Sequence, residues 1–242
     1  MFSTGSTTVE GSSDIVAFAA DDKRHRFLSY VYLHLAAATL ATIFIVGVLL
    51  RLATETALQY QLLQFEHSVI VVSIIATAAI TAATRVWAVR RHESSIGRQY
   101  AVLCLAVSGI AFAIWPAMQL AEIHEANLPR NLAVMSGIVI GGLALSHFFA
   151  GQRLPWHVRY AITLLLTAVA MLFVLTIFGR SMSPQLWLPA AMIAAAATAI
   201  QYEITNVVHA CCIDEYVKAA VVLCGFGTLL ALLTLPWMLA AF

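Results

Sequence analysis

A chain of 242 residues with 62% hydrophobic and 10% charged side chains cannot cover itself with a water-compatible surface, since soluble domains run at about 45–50% apolar and about 25% charged. A formal net charge of +1 leaves no electrostatic footprint for nucleic acid, which is excluded as a partner. The lipid bilayer is the solvent this composition requires.

Residues 1–26 read as a polar tail, rich in Ser, Thr and Gly and ending in Asp21-Asp22-Lys23-Arg24-His25-Arg26. The tail has no apolar core followed by a small-residue cleavage site, so the first span is expected to act as an uncleaved signal anchor. Residues 27–242 read as one membrane domain, because about 20 apolar residues rising about 1.5 Å each cross a hydrocarbon core about 30 Å thick. Seven stretches qualify or nearly do: Phe27 to Leu50, about Leu63 to Thr84, about Tyr100 to Leu120, Leu132 to Ala150, Tyr160 to Gly179, Leu186 to His209 and Val217 to Leu239. Open strands cannot satisfy their backbone groups in lipid and no alternating barrel pattern is present, so the expected fold class is all-α, a polytopic seven-helix bundle.

Gly225, Gly227 and Pro236 make the seventh stretch the weakest span, which either crosses or re-enters. Gly137 and Gly141 on the fourth form a small-xxx-small pair expected to admit a neighbouring helix closely. Cys104, Cys211, Cys212 and Cys224 follow no metal-ligand spacing and are expected to be reduced.

Short-loop basic residues set orientation. A cytoplasmic N-terminus places Lys23, Arg24, Arg26, Arg85, Arg90, Arg91, Arg98, Arg153, Arg159 and Lys218 inside, and leaves Arg51, Arg130 and Arg180 outside. The asymmetry predicts a cytoplasmic N-terminus.

A charge at the bilayer centre costs about 2.5–3.5 kcal/mol on insertion scales, so intramembrane ionisable residues are functional candidates. Glu203 leads them, within Gln201-Tyr202-Glu203-Ile204-Thr205-Asn206, where an apolar span turns polar toward its cytoplasmic end. Helical spacing predicts that Tyr202, Glu203 and Asn206 share a face looking into the bundle. A carboxylate buried there needs a cation to stay charged, and Arg85 or Arg90 at the end of span 2 is at the right depth. The alternative is that Glu203 snorkels to the interface and stays hydrated. Glu66 and His67 fall at the outer interface, where wet charges are ordinary. His34 and His147 are expected to bond to a neighbouring helix, because no H-x-x-x-H or H-E-x-x-H pair accompanies them and a metal site has no sequence support. His209 and Asp214 flank the polar end of span 6 as lesser candidates.

Several segments together resemble the Bax inhibitor-1 family, also called the transmembrane Bax inhibitor motif or lifeguard family. They are Arg26-Phe27-Leu28-Ser29-Tyr30-Val31-Tyr32, Ala106-Val107-Ser108-Gly109-Ile110, Leu145-Ser146-His147-Phe148 through Arg153-Leu154, and Tyr202-Glu203-Ile204-Thr205-Asn206-Val207-Val208-His209 followed by Asp214-Glu215-Tyr216-Val217. The resemblance covers Arg26 to Leu233, with order and spacing carrying it. It implies a seven-helix fold of an intracellular membrane, the endoplasmic reticulum above all, that leaks calcium and modulates cell death. It also implies a pair of pH-sensitive carboxylates on spans 6 and 7. Glu203 falls on the first acidic position, but Phe226 stands at the second, so a shared-proton gate cannot form in the same way. Divergent relatives in large DNA viruses alter host calcium balance and death signalling, which an eroded acidic pair would suit.

Two rival readings remain. One is a non-conducting membrane adaptor that binds other membrane proteins of death or immune signalling, favoured by Phe226 and the small-residue faces. The other is an intramembrane serine protease with Ser108 as nucleophile and His209 as base. It is disfavoured because Ala106 replaces the expected glycine, so the chain is read as a non-enzyme. No cofactor is expected, calcium being a permeant species.

Overall fold

The computed structural model describes residues 15–52, 56–90, 95–124, 128–150 and 187–232, with scattered helical positions between 158 and 176. Most of the fifth expected span, the seventh beyond Leu232, the first 14 residues, and Arg91, Arg153, Arg159 and Arg180 lie outside the described residues, as do the side chains of Arg90, Ser146, His147 and Phe226.

The described chain is all-helical. A short 3-10 turn at Val16–Phe18 precedes α1 (Asp21–Leu52), α2 (Thr56–Gln64), α3 (Glu66–Arg90), α4 (Ile96–His124), α5 (Leu128–Ala150), α6 (Trp187–Ala210) and α7 (Tyr216–Leu232). Four helices are long and apolar enough to cross a membrane: Asp21–Leu52, Glu66–Trp87, Ile96–His124 and Leu128–Leu145. This is the architecture of an integral membrane protein.

At the first two spans the boundaries differ from the sequence reading. α1 runs 32 residues, about 48 Å at 1.5 Å per residue, so its first turns project beyond the hydrocarbon. Asp21 and Asp22 in that first turn and Arg51 in the last complement the helix dipole, which explains why the helix continues into polar sequence. Before span 2 the chain forms the separate nine-residue α2, and α3 begins at Glu66 instead of Leu63.

α7 is the described part of the last stretch, and the bundle encloses it. It packs against α1, α3, α4 and α6, and every residue from Val217 to Gly225 is buried. Its small side chains explain this. Ala219 and Ala220 have no exposed surface, and a Cβ on Gly225 would lie 2.9 Å from Thr81 Oγ1, so the missing side chain lets α3 approach. The expected close approach at Gly137 and Gly141 is not present among the described residues, where a Cβ on either would meet nothing within 4 Å. The tight contact on α5 is one residue further on, where a Cβ on Gly142 would lie 2.7 Å from the Leu166 side chain.

The starts of α1, α4 and α7 meet the ends of α3 and α6. That end of the bundle holds Lys23, Arg24, Arg26, Arg85, Arg98 and Lys218 and is called the basic end below. Val16 N–H donates to the Cys211 carbonyl at 3.1 Å, so the N-terminal turn docks on the α6–α7 connection. At the opposite end His124 Nε2, closing α4, lies 3.4 Å from Glu66 Oε1, opening α3.

Candidate functional site

The last turns of α6 carry Glu203 into the bundle, where it is 6% exposed. Arg85 on α3 donates from Nη2 to Glu203 Oε1, and Asn206 Nδ2 donates to Oε2 at 2.8 Å. Both carboxylate oxygens are therefore satisfied, one by a full cation from another helix and one by a neighbour a turn away on its own. The guanidinium side chain is 50% exposed and keeps water on its outer side, which lowers the desolvation cost of the pair relative to a fully buried one. Among the described residues this is the ion pair that joins α3 to α6.

Tyr202 does not belong to that face. It is 74% exposed, because adjacent residues on a 3.6-residue turn point about 100° apart. Asn206, three residues on from Glu203, comes back within reach. His209, in the last turn of α6, and Asp214, in the connection to α7, are exposed at the basic end. Ser108 sits 12 residues into α4 from that end, about 18 Å deep, whereas His209 closes α6 there, so the two are at different depths.

A second carboxylate lies near the same end. Glu215 and Lys218 are 4% and 2% exposed, and Lys218 Nζ donates to Glu215 Oε1 at 2.8 Å. The Cys212 backbone N–H donates to Glu215 Oε2 at 3.0 Å, which ties the α6–α7 connection to the start of α7. The sequence reading missed this pair by counting Lys218 as a solvated loop cation. Its signal was the i, i+3 spacing of Glu215 and Lys218 at the head of a helix apolar on every side. In the same connection Cys211 is buried, and burial first, with the Glu215 charge second, pushes its thiol up to about 12. All four cysteines are free.

His34 joins a third cluster at this end. Its Nδ1 lies 2.7 Å from the Tyr30 carbonyl, which can only accept, so Nδ1 carries the proton. Nε2 lies 2.8 Å from the Tyr100 hydroxyl, and the His34 and Tyr100 rings stand 5.6 Å apart. The Tyr216 ring stands 5.3 Å from His34 and 5.1 Å from Tyr30. α1, α4 and α7 are thus joined through three rings, with the imidazole occupied at both nitrogens. Among the described residues no group of three or more His, Cys, Asp or Glu could hold a metal ion. Glu66, at the opposite end, is half-buried beside His124.

No protein family, curated protein or solved structure matches the chain.

Proposed function

We propose that this protein is a seven-span bundle resembling the Bax inhibitor-1 family, its basic end and N-terminus in the cytoplasm, that leaks small cations, calcium above all, across an intracellular membrane such as the endoplasmic reticulum. In that setting the leak would modulate cell death, in a host cell if the chain is a viral copy. The observation that carries the reading is the Glu203–Arg85 pair, a carboxylate buried in the bundle and neutralised by a cation on a different helix. Intramembrane charges are retained where they line a path or hold a moving element. This one does both: its oxygens are hard ligands suited to calcium, and its partner fixes α3 against α6.

With Phe226 where the resemblance places a second acid, the gate works by charge pairing instead of proton sharing. While Glu203 is ionised and held by Arg85 the bundle is closed; when the pair is broken, α3 is released and the carboxylate is free to meet a cation. Asn206 positions the carboxylate in both states. Arg90 follows Arg85 further along α3, and His34, His209 and Asp214 lie at the same end.

The test is calcium flux from indicator-loaded liposomes. Glu203→Gln keeps the shape, removes the charge, and is expected to raise the leak; absence of flux from both proteins would refute the channel reading. The adaptor reading is favoured by one observation, the Gly137 and Gly141 face of α5 left open among the described residues, which suits a helix of another membrane protein. Loss of co-purifying partners on Gly141→Leu, with no flux in the wild type, would decide for it.

A further inference from the structure

α3 carries a polar stripe that the pairing of Glu203 does not explain. Positions 66, 70, 73, 77, 81 and 84 fall within an arc of about 80° on a helix of 3.6 residues per turn. All but one are polar: Glu66, Ser73, Thr77, Thr81 and Thr84, with Ile70 the exception. From Glu66 to Thr84 the stripe rises about 27 Å, close to the about 30 Å of a hydrocarbon core. It begins at the Glu66–His124 contact and ends one residue before Arg85.

The stripe faces protein and not lipid. Ser73, Thr77, Thr81 and Thr84 are all buried, and α7 lies over Thr81 at Gly225, whose absent side chain leaves the two within contact. Lipid-facing α3 residues such as Val71, Val72 and Ile75 lie on the other side and are exposed.

Packing alone accounts for part of it. Thr81 and Thr84 donate back to the carbonyls of Thr77 and Thr81 at 2.8 and 2.9 Å, the usual way a hydroxyl is tolerated in a membrane helix. Thr77 breaks the pattern: it is 0% exposed, and its Oγ1 finds no hydrogen-bond partner among the described residues. At the depth of Ile70, where α3, α4 and α5 share an apolar cluster with Leu120 and Leu128, the oxygens Gln119 Oε1 and Asn131 Oδ1 are likewise buried without a partner among the described residues. A buried polar atom left unbonded costs about 1–3 kcal/mol. The Thr77 hydroxyl, at the middle of the stripe, favours a state in which water reaches it.

We propose that this seam, Glu66 through Ser73, Thr77, Thr81 and Thr84 to Glu203, is the route of partly hydrated cations through the bundle. The structure is its closed state. Opening is separation of α3 from α7 by the width of a water once the Arg85–Glu203 pair lets α3 go. The seam offers uncharged oxygens across the hydrocarbon and one carboxylate at each end, which suits a hard cation that sheds only part of its water. This inference rests on the cation-leak reading.

The test joins a flux measurement to one that needs no flux. Thr77→Val is close in shape and removes the hydroxyl; it is expected to lower the leak about tenfold, the kinetic equivalent of losing one such oxygen, while Thr77→Ser restores it. In parallel, Thr77→Cys and Ser73→Cys are exposed to a charged, water-borne methanethiosulfonate, with Ile75→Cys as the lipid-facing control and the unsubstituted chain as background. The seam cysteines are expected to react faster than Ile75→Cys, and faster again when combined with Glu203→Gln. If the wild type leaks but Thr77→Val leaks equally and Thr77→Cys stays inert in both backgrounds, the route is elsewhere and the leak reading stands without it. If neither the wild type nor Glu203→Gln passes any cation, both fall.

Discussion

Glu203 and Glu215 both lie buried toward the basic end of the bundle, yet they are neutralised in opposite ways. Glu215 takes its cation from Lys218 on the same turn of α7, with a backbone N–H completing the site. Glu203 takes its cation from α3, a different helix, and that cation is half in water. A pair within one turn moves as a unit and holds whatever the neighbouring helices do. A pair between helices depends on their relative position, so motion can break it and breaking it can permit motion. The first arrangement suits a structural core and the second a latch.

Lys218→Met should break this comparison open most visibly. It leaves Glu215 as a buried, uncompensated charge, for which the expected loss is about 3–5 kcal/mol, read as a large fall in melting temperature in detergent. Gly225→Val comes next. Its new side chain meets Thr81, and the overpacking should cost about 1–3 kcal/mol, part of it recovered when Thr81→Ala is added, since residues in contact couple in a double-mutant cycle. Glu203→Gln should cost only about 1 kcal/mol, because Arg85 is free to turn to solvent. Were it as damaging as Lys218→Met, the latch would be a core pair like the other and the contrast would collapse.

The smallest effect concerns Cys211. With its thiol pushed up to about 12 against an ordinary value of about 8.5, it stays protonated and unreactive toward iodoacetamide at pH 8, while exposed Cys104 is modified when detergent admits the reagent. The protonated thiol's contribution to stability is fully present below its ordinary value and is lost as pH rises toward 12. Rapid alkylation of Cys211 at pH 8 would show that the Val16 turn does not cover the α6–α7 connection.

Composition alone revealed the membrane architecture, because nothing else tolerates so few charges, and the apolar runs located the long helices to within a few residues. α2 was not legible: nine residues between two long spans carry too little periodicity to separate from the next helix. The Arg85–Glu203 pairing could be anticipated from depth and from the need of a buried carboxylate for a cation, two constraints that act before any packing is known. Tyr202 was misplaced because face assignments made from spacing tolerate an error of one residue, which on a helix is a quarter turn. The enclosure of α7 was hidden by its glycines, which weaken a hydropathy signal for the same reason that they let α3 come close. The His34, Tyr100 and Tyr216 contacts depend on how α1, α4 and α7 meet, which no single segment encodes.

Calcium flux from reconstituted liposomes, wild type against Glu203→Gln and Arg85→Gln across a pH series, tests the central proposal most directly. The latch predicts a measurable wild-type leak and a higher leak in both variants at each pH. Equal flux in all three proteins, or none in any, would contradict it.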